Sequence, residues 1–155
     1  MWAKALLTVA ICACLSACGG PKPHDSTDEL IAEFHKLYNA EEFDAIYDRL
    51  MTPAFQRAIS RDQFNHVLRE NRSRMGDYKI GSHRNWSVES SQVTGTIIEL
   101  VYTSQFADGV GYETFRIRAL GEVVISDPKK NMTIVAGEDQ DSALLINAYQ
   151  FNIQQ

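Results

Sequence analysis

Histidines are the first side chains to consider, because they bind metals and transfer protons near neutral pH. The sequence has four of them: His24, His35, His66 and His83. No two have H-x-H or H-x-x-x-H spacing, which would place two ligands on one face of a strand or helix. We expect His35 and His66 to occupy polar positions of helices. The sequence therefore predicts no metal site and no cofactor.

Motifs for nucleophilic catalysis and phosphate binding are the next to test. The sequence contains neither the G-x-S-x-G nucleophile motif nor the G-x-x-x-x-G-K-[ST] phosphate loop. No spacing pairs a nucleophile with a base. These observations favour a binding protein over an enzyme.

The cysteines cluster at the start of the chain, at Cys12, Cys14 and Cys18. Lys4 precedes an apolar run over 5–15, a pattern typical of a signal peptide. The run leads into Leu15-Ser16-Ala17-Cys18, which resembles the lipobox of bacterial lipoproteins. The resemblance implies cleavage before Cys18, a diacylglycerol on its thiol, and a further acyl chain such as palmitate on the new amino terminus. The alternative is an ordinary secretory signal whose cleavage site ends in cysteine.

The lipobox has consequences for location. Cys12 and Cys14 would leave with the signal, so the mature chain would keep one modified cysteine and no disulfide. Gly19 follows the cysteine, and by resemblance to known sorting this favours the outer membrane over inner-membrane retention. We expect a cell-envelope protein, attached through lipid at Cys18 and facing the periplasm.

Length and charge limit the remaining possibilities. The chain has 155 residues, of which 45% are hydrophobic, enough for one folded core. We expect a signal peptide over 1–17, a tether over 18–27 and one domain over 28–155. No apolar run reaches the roughly 18 residues of a membrane-spanning helix. The 15 basic and 20 acidic residues, a net charge of −5, argue against a nucleic-acid partner.

Helix signals dominate the first half of the domain. Ser26 with Glu29 and Ser60 with Gln63 have capping-box spacing, and proline after Thr52 marks another start. These signals predict helical segments over 26–39, 41–50, 52–59 and 60–76. The helices should bury one apolar face each, including Leu30, Phe34, Phe64, Val67 and Leu68.

Strand signals dominate the second half. Alternation of apolar and polar residues predicts strands over 78–89, 93–106, 112–125, 132–136 and 144–153. The residues expected to face the core are Ile98, Leu100, Tyr102, Phe106, Phe115, Ile117, Ala119, Tyr149, Phe151 and Ile153. Helices followed by an antiparallel meander predict an α+β fold, with N-terminal helices packed on a curved antiparallel sheet.

Several segments resemble the nuclear-transport-factor-2-like superfamily, also called cystatin-like or SnoaL-like. They are Met51-Thr52-Pro53-Ala54-Phe55-Gln56, Gly76-Asp77-Tyr78 and the closing 147–153, and the resemblance covers about residues 28–153. It implies a cone formed by the sheet around the helices. The segment 125–143 departs from the family pattern, because similar proteins join their last two strands by a tight turn.

The superfamily includes enzymes such as ketosteroid isomerase, which place an acidic base and a tyrosine in the cone. By resemblance, the pocket candidates are Tyr47, Trp86, Tyr102 and Tyr149, with Asp44 or Asp48 as the acid. The alternative is that these aromatic residues are half-buried core and the acids a solvated helix face.

Two charged regions are candidates for binding a protein partner. The insertion contributes Asp127, Lys129, Lys130, Glu138, Asp139 and Asp141, and a predicted helix end contributes Arg69, Arg72 and Arg74. Such surfaces steer charged partners. We therefore expect a non-catalytic binding module for a protein partner, for example an immunity protein that neutralises a periplasmic toxin. An envelope accessory role, small-ligand binding or a ketosteroid-isomerase-like enzyme remain the alternatives.

Overall fold

A computed structural model describes residues 26–92, 95–120, 123–126, 133–136 and 143–154. Four helices precede the strands along the chain. The helices are α1 (Thr27–Asn39), α2 (Phe43–Leu50), α3 (Pro53–Ala58) and α4 (Arg61–Met75). The strands are β1 (Tyr78–Ser91), β2 (Gly95–Phe106), β3 (Val110–Leu120), β4 (Val123–Ser126), β5 (Thr133–Ala136) and β6 (Ala143–Ile153).

The main sheet is antiparallel and curved, with strand order β1-β2-β3-β6. Its inner face supplies Leu100 and Phe115 to the core, and the helices supply Phe34 and Leu68; all four are at most 1% exposed. The predicted α+β class is thus confirmed. The alternation in β2 and β3 correctly identified the residues that face the helices.

The predicted helix caps form, with one difference. Ser60 and Gln63 make the full capping box, and Thr52 accepts a hydrogen bond from the Phe55 N–H at 3.1 Å. Ser26 accepts from the Glu29 N–H at 3.2 Å. The second helix begins at Phe43 rather than at residue 41, because Glu41 has a φ of 58°, which a right-handed helix does not accommodate.

Val67 was expected in the core, and this prediction is wrong: the residue is 49% exposed. Helix α4 buries Phe64, Leu68 and Met75 along one stripe. At 3.6 residues per turn, Val67 lies about 80° around the helix from the centre of that stripe. It therefore lies beside the buried stripe and is exposed.

The single strand predicted over 112–125 is also wrong. The chain forms β3 up to Leu120 and then β4, which pairs with β5 in a separate two-stranded antiparallel sheet. The short strand predicted over 132–136 is confirmed as β5. The charged insertion thus contains part of a second hairpin.

A bulge in β6 changes which side chains face the core. Leu144 and Ile146 are buried, whereas further along the strand the odd-numbered Tyr149 and Phe151 pack against the core. Between them Asn147 has no opposite residue in β3, so the side-chain alternation shifts by one residue. Thr52 donates a hydrogen bond to Asn147 Oδ1 at 3.1 Å, and this contact ties the bulge to the start of α3.

Candidate functional site

A cleft of about 410 Å³ lies between α1 and the neighbouring strands β1 and β2. Helix α1 contributes one wall, and the tyrosines of the two strands contribute the other. The lining residues are Asp28, Ile31, Ala32, His35, Lys36, Asn39, Tyr78, Lys79 and Tyr102. This volume is in the range of small-ligand sites.

At the base of the cleft, His35 pairs with a glutamate that the sequence analysis did not single out. His35 Nε2 lies 2.9 Å from Glu113 Oε2, and the two side chains are 5% and 1% exposed. The expectation that His35 occupies a polar helix position is wrong. His35 follows Ile31 by four residues and so shares its buried face, a spacing that could have indicated the burial.

Glu113 projects from the inner face of the sheet. It precedes Phe115 and Ile117 in the alternating series of β3, and all three are buried. Tyr149 of β6 donates a hydrogen bond to Glu113 Oε1 at 2.8 Å. Both carboxylate oxygens therefore have a partner, as a buried charged group requires.

The His35 ring is fixed in orientation as well as in position. It stacks on the Tyr78 ring with centroids 3.5 Å apart and an interplanar angle of 3°. Asn39 holds Tyr78 in turn: its amide donates to the Tyr78 carbonyl at 2.9 Å and accepts from the Tyr78 N–H at 2.8 Å. Since Nε2 is engaged by Glu113, Nδ1 is the ring nitrogen that has no hydrogen-bond partner among the described residues.

Burial raises the pKa values of the tyrosines around this pair. Burial raises the pKa of Tyr149 well above its ordinary value, and the adjacent Glu113 carboxylate raises this pKa further. Burial also raises the pKa of Tyr102, with a smaller contribution from Asp28. Both phenols stay protonated at neutral pH and can donate hydrogen bonds. The stability they contribute is complete below the unfolded-state pKa near 10 and is lost as the pH rises through the higher folded-state values.

Two buried hydroxyl groups near the pair have no hydrogen-bond partner among the described residues. They belong to Ser104 and Tyr38, which are 0% and 2% exposed. A Cβ placed on Gly81 would lie 3.1 Å from Ser104 Oγ, 2.9 Å from Tyr78 Oη and 3.5 Å from the Tyr102 ring. Ser104 therefore lies close to both tyrosines of the cleft wall, and the glycine makes this approach possible. The hydroxyl groups of Ser104 and Tyr38 can therefore form further hydrogen bonds.

The four predicted pocket residues do not form one group. Tyr102 lines the cleft, and Tyr149 lies beneath it. Trp86 packs against the core from β1 and is not among the lining residues. Tyr47 does not line the cleft. Its hydroxyl donates hydrogen bonds to the carbonyls of Gln56 and Ile59 at 2.9 and 2.7 Å.

The predicted acids lie on α2 and are not among the residues that line the cleft. Asp44 accepts a hydrogen bond from Asn65 at 2.8 Å, and Asp48 forms an ion pair with Arg61. Both aspartates have exposed side chains. Neither lines the cleft, so the prediction that one of them is its acid is wrong.

The arginine cluster is not a set of three free charges. Arg72 is 19% exposed, forms an ion pair with Asp77 and lies 3.9 Å from Glu41. Arg69 lies over the Phe43 ring at 6.0 Å, and Arg74 is exposed. The expectation that Arg72 is an exposed member is therefore wrong.

The remaining predicted site residues lie outside the described part of the chain. They are Cys18, Asp127, Lys129, Lys130, Glu138, Asp139 and Asp141. Within the described ranges, no three histidine, cysteine or acidic side chains are grouped as a metal site would require. In the same ranges, no helix combines the length and apolar character needed to cross a membrane.

Comparisons with models of protein families, with curated proteins and with solved structures found no match to this chain. The interpretation of the cleft therefore depends on its own geometry.

Proposed function

We propose that this protein is a lipid-anchored binding protein of the bacterial envelope, facing the periplasm, which holds a small ligand in the cleft between α1, β1 and β2. The cleft would be the open end of a nuclear-transport-factor-2-like cone. The order of elements supports this, since four helices precede an antiparallel sheet whose inner face packs on them. The helix caps of the family-like segments support it too.

The observation that carries the proposal is the buried pair of His35 and Glu113. Removing two ionisable groups from water costs free energy, and apolar side chains of similar volume often serve a core equally well or better. The pair does not simply complete the core, because His35 also lines the cleft. A polar group at the base of the cleft, beside the apolar surfaces of Ile31 and Ala32, gives a ligand its orientation.

Binding without catalysis agrees with the position of the carboxylate. Glu113 is 1% exposed, and both of its oxygens already accept hydrogen bonds. It therefore reaches a ligand only through His35.

A protein that transfers a proton within its ligand, like ketosteroid isomerase, is the second candidate. One observation favours it: a carboxylate that orients one nitrogen of a histidine leaves the other nitrogen placed to accept a proton. This candidate would use His35 rather than Asp44 or Asp48.

The ligand experiment uses Ala32, an exposed residue of the cleft wall. Replacement of Ala32 by tryptophan should fill the mouth of the cleft and leave the core intact. We expect small molecules released from the denatured wild-type protein, identified by mass spectrometry, to be missing from Ala32→Trp. If His35→Gln retains the ligand and the wild-type protein alone releases an altered form of it, the enzyme candidate is supported.

The matched control is Ala58→Trp, which adds the same side chain at an exposed position of α3. It should release the same molecules as the wild type. Equal release from Ala32→Trp, or no bound molecule in any sample, would contradict ligand binding in the cleft.

The membrane anchor has a separate test. Replacement of Cys18 by alanine should remove the lipidation site, so the protein should leave the membrane fraction or accumulate uncleaved. Cys14→Ala is the control, because it would be discarded with the signal. Membrane association and cleavage at an unchanged bond in Cys18→Ala would show that the lipobox interpretation is wrong.

A protein partner, including the toxin of an immunity pair, stays a prediction. It would bind at the insertion or near Arg69 and Arg74. Arg74 is exposed and has no ion pair among the described residues, which supports this surface. The ion pairs of Arg72, by contrast, give that residue a role in the fold.

A further inference from the structure

The cleft has opposite charges at its two ends. Asp28 lies in the first turn of α1 and Lys36 follows eight residues later, so the helical rise separates their backbones by about 12 Å. Both residues line the cleft. Lys79 lies at the same end as Lys36, because Asn39 binds the backbone of the adjacent Tyr78.

Some charged side chains of the described helices have partners within the fold. Glu33, Asp48 and Arg72 form ion pairs within the fold. No ion pair or hydrogen bond of the Asp28 or Lys36 side chain occurs in the part of the chain that the structure describes. Lys79 has a contact of 3.4 Å with Asp77. Among the described residues, therefore, the Asp28 carboxylate and the Lys36 ammonium group of the cleft have no partner of opposite charge.

We propose that the ligand of the cleft is a short peptide with free termini, whose amino group lies at Asp28 and whose carboxylate lies at Lys36 and Lys79. This identification rests on the proposed ligand-binding function. An extended chain covers at most about 3.3–3.6 Å per residue, so a peptide of about three residues matches the separation of the charges.

The middle of the cleft fits the middle of such a peptide. Backbone N–H groups can donate to His35 Nδ1, and Ile31 and Tyr102 offer apolar surface to a side chain. A ligand with only negative groups would be repelled by Asp28, and a ligand with only positive groups would be repelled by Lys36. A ligand that carries both charges at its ends satisfies both residues.

The test uses tri-alanine and two blocked forms, N-acetyl-tri-alanine and tri-alanine amide. Each peptide is titrated into the ¹⁵N-labelled protein, and affinity is measured from the amide shifts of α1 and β1. Tri-alanine should bind more tightly than either blocked form. Asp28→Asn should weaken the binding of tri-alanine roughly fivefold, because a single partly exposed charge pair contributes up to about 1 kcal/mol. It should leave the binding of the acetylated peptide unchanged. Lys36→Gln should likewise weaken the binding of tri-alanine and leave the binding of the amide unchanged.

Asp62→Asn and Arg57→Gln are the controls, since both change exposed helix charges away from the cleft. They should leave all three affinities unchanged. Equal binding of free and blocked peptides, or no binding of any of them, would overturn the peptide assignment. If the small molecules released by the wild type are still missing from Ala32→Trp in that case, the ligand-binding function stands and only the ligand class is wrong. Tri-alanine binding that persists in Ala32→Trp would place the peptide outside the cleft.

Discussion

Replacement of Glu113 by alanine is expected to lower the free energy of unfolding by about 3–5 kcal/mol, because it takes one partner out of a buried hydrogen-bonded pair and leaves the other uncompensated. The substitution would leave His35 Nε2 and the Tyr149 hydroxyl without an acceptor in a region that is almost fully buried. It would also leave a cavity in the core. Urea denaturation followed by circular dichroism measures the loss.

The control is to replace the polar group by an apolar one. A triple variant with His35→Leu, Glu113→Leu and Tyr149→Phe removes every member of the hydrogen-bonded trio. We expect it to be more stable than Glu113→Ala, since apolar replacement of a whole buried pair is often neutral or stabilising. A loss below about 1 kcal/mol for Glu113→Ala would contradict the buried geometry.

The same variants separate stability from function. If the triple variant folds but no longer holds the small ligand of the wild-type protein, the trio acts in binding. If it folds and binds as before, the trio is an element of the core alone. The second result would remove the main support for the proposed function.

Leu100→Ala should cause a loss of similar size, about 2–5 kcal/mol, because it opens a cavity at the centre of the inner sheet face. Leu100 is 1% exposed and lies opposite Phe115 in β3 and Trp86 in β1. Helix residues cover it from the other side. Thermal or urea unfolding measures the change.

The matched control is Val101→Ala on the same strand. Val101 points to the outer face of the sheet and is half-buried, so its replacement should cost about 1 kcal/mol or less. Equal losses at the two positions would contradict the assignment of inner and outer faces.

Local sequence patterns predicted most of the elements. The side chains of Ser60 and Thr52 bind backbone N–H groups within three residues of themselves, so the helix starts could be read without any tertiary information. Alternation in β2 and β3 identified the inner face because side chains of a strand point to opposite sides in turn. The pattern failed at Glu41, where a positive φ excludes a right-handed helix, and beyond Leu120, where β4 pairs with β5 in a separate sheet.

The candidate site could be predicted only in part. Tyr102 and Tyr149 were expected in a pocket by resemblance, and the structure places one in the cleft wall and the other beneath it. The acid was sought at Asp44 and Asp48, whose side chains are exposed. Glu113 was not predicted as a site residue, although its place in the alternating series of β3 indicates that it faces the core.

The sequence by itself determined the starts of α1, α3 and α4, the α+β class and the inner face of the sheet, because each follows from a pattern of residues close along the chain. Only the tertiary structure decided that His35 meets Glu113. The two are 78 residues apart, and they meet because α1 crosses the face of the sheet to which β3 directs its odd-numbered residues. Tyr149 completes the group only because the bulge at Asn147 turns its side chain inward. No local pattern contains that contact, since it depends on the register of β6 against β3.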